Sequence, residues 1–167
     1  MIHLYEGDGK GKTTAAYGLA LRMAGQGGSV AVAGFLKPVS SGEYKAIKTG
    51  FPGILIEYFG GEYGFFGKMS AEDEKKAKEE IREGFFKFIK EDVDLLILDE
   101  ITDVVNFGII SENEFLFGLD HCSSKDIVLT GRKPSDAISE KADYHTRFLK
   151  IKHPFDEGIS ARRGIEF

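Results

Sequence analysis

The amino-acid sequence predicts an α/β fold with a mainly parallel central sheet of about six strands. Short apolar runs alternate with longer helical patterns along the 167 residues, and this alternation is typical of βαβ units. A glycine-rich segment follows the first apolar run, and a later run ends in two acidic residues. Open parallel sheets bind ligands at the carboxyl ends of their strands. A chain of this length is expected to form a single domain, residues 1–167, around one core.

Hydrophobic periodicity places the individual elements. Six apolar runs are predicted to be strands: Ile2–Tyr5, Val30–Leu36, Ile54–Phe59, Leu95–Leu98, Ile127–Thr130 and Thr146–Ile151. Four amphipathic segments are predicted to be helices: Lys12–Gln26, Ala71–Lys90, Ser111–Leu119 and Pro134–Lys141.

Capping signals support three of these helices. Ser70 with Asp73, and Ser111 with Glu114, match the capping-box spacing. Pro134 suits the first turn of its helix because that position needs no amide donor. The helix from Ala71 also carries one apolar stripe, which predicts a single buried face: Ala77, Ile81, Phe85 and Phe88.

Composition excludes several classes of protein. The net charge is −5, which argues against a nucleic-acid binder. No apolar stretch approaches the ~20 residues that span a bilayer, and no signal peptide is recognisable, so we expect a cytoplasmic protein without a membrane partner. Cys122 is the only cysteine, which excludes an intrachain disulfide, and the histidines lack metal-ligand spacing.

The segment between the first strand and the first helix has the composition of a phosphate-binding loop. Its glycines allow positive φ and close approach of a phosphate, and the following helix adds amide donors. We expect this glycine-rich loop to bind the triphosphate of ATP, with Lys12 on phosphate oxygens and Thr13 on Mg²⁺. Glu6 stands where the common pattern has glycine, so the turn is expected at Gly7. A turn with incidental lysines is the alternative. The candidate residues are Gly7, Asp8, Gly9, Lys10, Gly11, Lys12, Thr13 and Thr14.

Other polar residues follow the predicted strands. Asp99 or Glu100 is expected to meet the glycine-rich loop across Mg²⁺, the alternative being two acids that cap a surface helix. Arg132 follows the fifth strand and is a candidate contact for the triphosphate or a second substrate, or else a surface salt-bridge partner. Lys37, at the end of the second strand, and Arg22, on the first helix, are weaker candidates of the same kind.

Distinctive stretches of sequence extend beyond this loop. They are Gly7–Ala16, Gly18–Arg22, Phe35–Lys37, Leu98–Glu100, Leu129–Arg132, Lys152–Ile159 and Gly164–Phe167. Together they resemble the ATP-dependent cob(I)alamin (corrinoid) adenosyltransferases over nearly the whole chain.

This resemblance implies a three-layer, RecA-like P-loop NTPase fold and a homodimer. It further implies transfer of the 5′-deoxyadenosyl group of ATP to the cobalt of a reduced corrinoid, with release of triphosphate, and it allows a flavoprotein reductant as a partner. By the same resemblance Lys12, Thr13 and Glu100 are the catalytic residues, and Thr13 and Glu100 hold Mg²⁺. Phe65 would help to remove the lower cobalt ligand, although Gly67 stands where the family has a tryptophan.

An aromatic and glycine-rich segment, Tyr58 to Met69, includes that phenylalanine. Aromatic rings on a mobile backbone would suit a lid over a large flat ligand. The alternative is a loop that packs its rings into the core. The resemblance favours the lid.

Co(I) is strongly nucleophilic, so positioning and charge stabilisation are expected to supply most of the catalysis without a general base. Two other functions stay open from the residues alone. One is an ATPase or phosphotransferase in which Glu100 orients the acceptor. The other is a nucleotide-gated binding module without chemistry.

Overall fold

The computed structural model describes residues 1–64, 66 and 68–165. Within these ranges the chain forms six strands, six α-helices and a short 3₁₀-helix at Pro154–Glu157. The strands are β1 (Ile2–Glu6), β2 (Val30–Lys37), β3 (Ile54–Gly60), β4 (Leu95–Asp99), β5 (Asp126–Gly131) and β6 (Tyr144–Arg147). The helices are α1 (Lys12–Gly25), α2 (Gly42–Gly50), α3 (Ala71–Phe88), α4 (Ile101–Asn106), α5 (Glu112–Asp120) and α6 (Asp136–Glu140).

The six strands form one sheet in the order β3-β2-β4-β5-β1-β6, and each neighbouring pair is parallel. This confirms the predicted α/β fold and is consistent with the RecA-like type. Because the strands are parallel, their carboxyl ends share one edge of the sheet. That edge carries Glu6, Lys37, Asp99 and Gly131, the last residues of four strands.

Helices cover both faces of the sheet, which makes three layers. Alternating residues of β4 contribute to two separate core clusters, as expected for a strand buried on both faces. Leu95 and Ile97 pack with α1 and α2, whereas Leu96 and Leu98 pack with α3, α4, α5 and α6. This arrangement explains why the run before Asp99 is apolar at every position.

The longest helix, α3, matches its prediction. Its predicted stripe is fully buried, and each such side chain contributes roughly 1.5–3 kcal/mol of burial free energy, less for the alanine. Ser70 caps the helix by accepting a hydrogen bond from the amide of Asp73 at 3.1 Å. The capping box of Ser111 and Glu114 is also confirmed at the start of α5.

The last strand differs from its prediction. β6 is Tyr144–Arg147 rather than Thr146–Ile151, and its four residues are exposed. The apolar run that suggested the later strand is not a core segment, since Leu149 and Ile151 are 68% and 89% exposed. After β6 the chain instead crosses the glycine-rich loop, where the Phe148 amide donates to the Glu6 carbonyl at 2.8 Å.

Three further differences concern helices. α2 and α4 were not predicted, because each is short and neither carries a long apolar period. α6 begins at Asp136 with Ser135 as its N-cap, so Pro134 precedes the helix instead of forming its first turn. Tyr58 and Phe59 lie in β3, as the predicted strand Ile54–Phe59 had them, and they pack against the core instead of belonging to a lid.

Candidate active site at the carboxyl edge of the sheet

The glycine-rich loop leaves β1 through Gly7, as predicted. Gly7 and Gly11 have φ angles of 114° and 116°, a region that favours glycine. A Cβ atom at Gly7 would collide with the carbonyl oxygen of Phe148, and one at Gly9 would lie 2.7 Å from the Phe148 carbonyl carbon. Close packing of the segment after β6 therefore requires glycine at positions 7 and 9. This requirement is separate from the space that a phosphate would need.

Hydrogen bonds tie this loop to its neighbours. The Gly7 amide donates to the Arg132 carbonyl at 3.2 Å, and the Gly9 amide donates to the Phe148 carbonyl at 2.8 Å. The Lys12 ammonium donates back to the carbonyls of Gly7 and Gly9, at 2.7 and 3.1 Å. Lys12 thus lies against the loop backbone at the start of α1, where first-turn amides have no acceptor within the helix.

Glu6 takes part in a separate ion cluster. Its carboxylate is buried and accepts a hydrogen bond from Arg147, with the His145 Nε2 atom 3.4 Å away. The Glu6 side chain therefore contacts residues of β6 and takes no part in the turn at Gly7. Its charge is compensated by residues of β6, which pairs with β1.

A second polar cluster lies where β4 ends. The Asp99 carboxylate is fully buried and accepts hydrogen bonds from the hydroxyls of Thr13 at 3.1 Å and Thr130 at 2.6 Å. The Lys37 ammonium contacts Asp99 Oδ2 and donates to Thr13 Oγ1 at 2.7 Å. The predicted juxtaposition of the loop and the acids of β4 is thus present, and Asp99 is the acid that contacts Thr13.

Glu100 lies beside this cluster in an unusual conformation. Its φ angle is 63°, and it occupies the N-cap position of α4 without a side-chain capping bond. Glu100 Oε1 lies 3.8 Å from the Lys37 ammonium. Burial and a hydrogen bond with Asp103 raise the pKa of Glu100 to about 7, against the opposing effect of Lys37. A non-glycine residue in the left-handed region is often associated with a functional site.

The charge on Lys37 is set by its neighbours. Burial alone would lower the pKa of this ammonium, but Asp99 and Glu100 raise it above its ordinary value. Lys37 therefore stays protonated, and it compensates the buried Asp99 carboxylate.

Two cavities flank the glycine-rich loop and the acids. The first has a volume of about 470 Å³ and is lined by Leu36, Lys37, Gly64, Phe66, Glu100, Asp103, Phe107 and Arg132. The second, of about 590 Å³, is lined by Glu6, Gly7, Asp8, Arg132, Lys133, Pro134, Asp136, Ser139, Arg147 and Leu149. Arg132 borders both cavities, so the structure brings this predicted residue to the site.

The aromatic part of the first cavity is a stacked pair. The rings of Phe66 and Phe107 lie 5.6 Å apart at 12° to each other. Phe66 is also partly buried against the main core. Phe65 and Gly67 lie outside the described residues, so the expected role of Phe65 stays a prediction.

The remaining predicted residues differ in position. Asp8 and Lys10 are exposed residues of the glycine-rich loop, and Thr14 is exposed in the first turn of α1. Arg22 is exposed in the last turn of α1, ten residues from Lys12. With a rise of 1.5 Å per residue, that places its backbone roughly 15 Å along the axis from the loop.

Comparison with known proteins gives a family for this arrangement. The family model described as ATP:corrinoid adenosyltransferase BtuR/CobO/CobP matches residues 1–167. The chain belongs to this family.

Named members of the family are similar over the whole chain. A corrinoid adenosyltransferase of Sinorhizobium sp is 33% identical over 179 residues, covering 100% of this chain and 80% of its own length. Those of Pseudomonas aeruginosa and Escherichia coli are each 30% identical, over 170 and 169 residues, covering 100% of this chain and 83% and 85% of their own lengths.

Several site residues of this family member were not predicted from the sequence. They are Leu36, Asp103, Phe107, Thr130 and Arg147. Thr130 carried a usable signal, because it ends an apolar run beside Gly131 and Arg132. Leu36 lies in the distinctive stretch Phe35–Lys37 but was not singled out. Asp103 and Phe107 belong to the unpredicted helix α4 and its C-cap, and Arg147 lies on the exposed strand β6.

Two features are absent from the described part of the chain. No helix there combines the length and hydropathy needed to cross a membrane. The same residues contain no group of three or more His, Cys, Asp or Glu side chains arranged to hold a metal ion.

Proposed function

We propose that this protein transfers the 5′-deoxyadenosyl group of ATP to the Co(I) centre of a corrinoid and releases triphosphate. The observation that carries the proposal is the contact between Thr13, on the helix that follows the glycine-rich loop, and Asp99, at the end of β4. It lies beside a cavity with charged and aromatic walls, in a chain of the corrinoid adenosyltransferase family.

The glycine-rich loop binds the triphosphate in this proposal. Lys12 exchanges its contacts with the carbonyls of Gly7 and Gly9 for phosphate oxygens, and the first-turn amides of α1 donate to the same group. Arg132 lies close enough to both cavities to add a second cation. Negative charge that grows on the leaving triphosphate is thereby stabilised by donors already in place.

The donor set at the end of β4 fits Mg²⁺. Magnesium prefers hard oxygen ligands, and it is commonly bound by one or two protein groups plus substrate phosphates instead of by an all-protein cage. Thr13 and Asp99 supply such oxygens, with Glu100 next to them. When bound, Mg²⁺ would neutralise and orient the triphosphate.

The reaction requires positioning of two substrates. The electron pair of Co(I) forms the bond to C5′, while the bond between C5′ and the α-phosphate oxygen breaks and its electrons remain on triphosphate. No proton is transferred in this step, so it needs no general base. Its stacked phenylalanines offer an apolar surface for a flat ligand.

Anaerobic incubation with ATP, Mg²⁺ and chemically reduced cobalamin tests the proposal. The expected products are a cobalt–carbon bond, seen by absorbance, and triphosphate. ADP with phosphate would instead identify an ATPase or phosphotransferase, and bound ATP without any product would identify a binding module. Lys48→Ala, a change at an exposed position, serves as the matched control for site variants.

Three further expectations belong to the same proposal. They are a homodimer, a flavoprotein that supplies the reducing electrons, and a cytoplasmic location. Residues 1–167 would act as a single nucleotide-binding domain. Sedimentation of the purified chain tests the oligomeric state.

A further inference from the structure

Lys37 occupies a position between the two groups that would hold a metal ion. Its Nζ atom donates to Thr13 Oγ1 at 2.7 Å and contacts Asp99 Oδ2. The same two residues are in contact with each other at 3.1 Å. The Lys37 ammonium therefore contacts the same side chains, Thr13 and Asp99, that would bind a divalent cation.

The backbone directs Lys37 to this place. Leu36 has a φ angle of 60°, and the pairing of β2 with β3 shifts register between Phe35 and Lys37. A Cβ atom at Gly61 would collide with the carbonyl group of Lys37. Three irregularities therefore lie next to Lys37: the positive φ of Leu36, the shift in strand register and the close packing of Gly61. Irregular backbone of this kind is often found at functional sites.

The ammonium and a metal ion exclude each other. Mg²⁺ binds its oxygen ligands at roughly 2.0–2.1 Å, so an ion on Thr13 and Asp99 would overlap a nitrogen that contacts both. Like charges at such a distance also repel strongly in a partly buried site. An ion on both Thr13 and Asp99 therefore requires the Lys37 side chain to move.

We propose that Lys37 is an internal cation that competes with magnesium for the oxygens of Thr13 and Asp99 and moves into the adjoining cavity when magnesium and the polyphosphate bind. The side chain is 21% exposed and lines the cavity of about 470 Å³, so it has space into which to turn. There it would contact the polyphosphate, and the site would stay charge-balanced in both states.

This device makes metal binding depend on the nucleotide. Without a polyphosphate, displacement of Lys37 would leave a buried ammonium near a dication, which is unfavourable. With a polyphosphate, the displaced ammonium gains a partner. The inference rests on the metal site of the proposed function but does not depend on adenosyl transfer.

Mn²⁺ binding measured by electron paramagnetic resonance tests the inference in the absence of nucleotide. Lys37→Met removes the charge and keeps an unbranched side chain that is one heavy atom shorter. We expect this variant to bind Mn²⁺ at least about tenfold more tightly than the wild type. Its affinity for ATP is expected to fall, because the displaced ammonium is lost. Lys48→Met, with the same charge change at an exposed position, is expected to alter neither affinity.

Opposite shifts in the two affinities distinguish this role from simple structural support, which would weaken both. Equal Mn²⁺ affinity in the wild type and Lys37→Met, with binding abolished by Thr13→Val, would overturn the inference and leave the metal site intact. Failure of the wild type to bind Mn²⁺ even with ATP would overturn the metal site and the inference with it.

Thermal unfolding covers the case in which Lys37→Met is unstable. The variant leaves Asp99 without its cation, so its melting temperature in EDTA is expected to fall and to recover in millimolar Mg²⁺. Lys37→Arg keeps the charge, and its melting temperature is expected to respond to Mg²⁺ no more than that of the wild type. A Met variant that Mg²⁺ does not rescue would contradict the inference.

Discussion

Replacement of Asp99 by Asn removes the negative charge at the centre of the site while keeping the shape of the side chain. Asp99 is fully buried, and Lys37, its ionic partner, is 21% exposed. The new amide nitrogen would face either a hydroxyl or the ammonium, so a partly buried charge loses its partner. Breaking a buried ion pair costs about 3–5 kcal/mol. Because Lys37 retains some solvent, we expect the lower end, about 3 kcal/mol in the free energy of unfolding.

Urea denaturation of the wild type, Asp99→Asn, Lys37→Met and the double variant measures this energy. Removing both partners eliminates the unpaired charge, so the two changes are expected to be coupled by about 1–3 kcal/mol, with the double variant more stable than additivity predicts. A loss below about 1 kcal/mol for Asp99→Asn, or strictly additive losses, would refute the view that this pair is a buried, mutually dependent unit.

Other predictions address catalysis, packing and pH. Lys12→Ala removes a charge-assisted contact worth about 1.5–3 kcal/mol, so kcat/KM for ATP is expected to fall roughly ten- to a hundredfold in the adenosyl-transfer assay. Gly7→Ala forces a side chain into positive φ and onto the Phe148 carbonyl, and it is expected to destabilise the fold by about 1–3 kcal/mol, measured as a lower melting temperature. A hydrogen bond from Lys125 lowers the pKa of Asp94 from 3.8 to about 2. Its stabilising effect is therefore present above the unfolded value and lost as the pH falls towards 2, so Asp94→Asn is expected to be less stable than the wild type at neutral pH and equal to it in strong acid.

Each of these predictions has an outcome that would contradict it. Unchanged turnover in Lys12→Ala, with Lys48→Ala as the matched control, would exclude the glycine-rich loop as the triphosphate site. An unaltered melting temperature in Gly7→Ala would mean that the segment after β6 does not constrain the loop. A stability gap between wild type and Asp94→Asn that persists in strong acid would assign the effect to packing.

Local signals in the sequence were sufficient for the regular elements. The capping box at Ser111 lies within one helical turn, and the apolar stripe of α3 recurs at each turn of the helix. Residues close together in the chain therefore specify both features. The apolar run that ends at Asp99 likewise indicated a strand buried on both faces. Apolar periodicity failed to indicate the short helices α2 and α4, and it misplaced β6, because the exposed residues Leu149 and Ile151 continue an apolar run.

Local patterns named candidate residues at the edge of the sheet but did not specify which side chains contact one another. Thr13, Lys37 and Asp99 lie on three different elements, and their contact depends on the order of the parallel strands. The same is true of the choice of Asp99 over Glu100 as the partner of Thr13, since Glu100 instead forms a hydrogen bond with Asp103 and lies 3.8 Å from the Lys37 ammonium.

By itself the sequence determined the α/β class, the glycine-rich loop and the acids that end the fourth strand, since each is encoded by residues close together in the chain. Only the tertiary structure decided which acid contacts Thr13, where the chain runs after β6, and that Lys37 contacts both Thr13 and Asp99. Those features arise from strand order and from close packing between segments that are distant in the chain. The free energy of burying a charged or polar group depends on its surroundings in the fold, which a local sequence pattern does not specify.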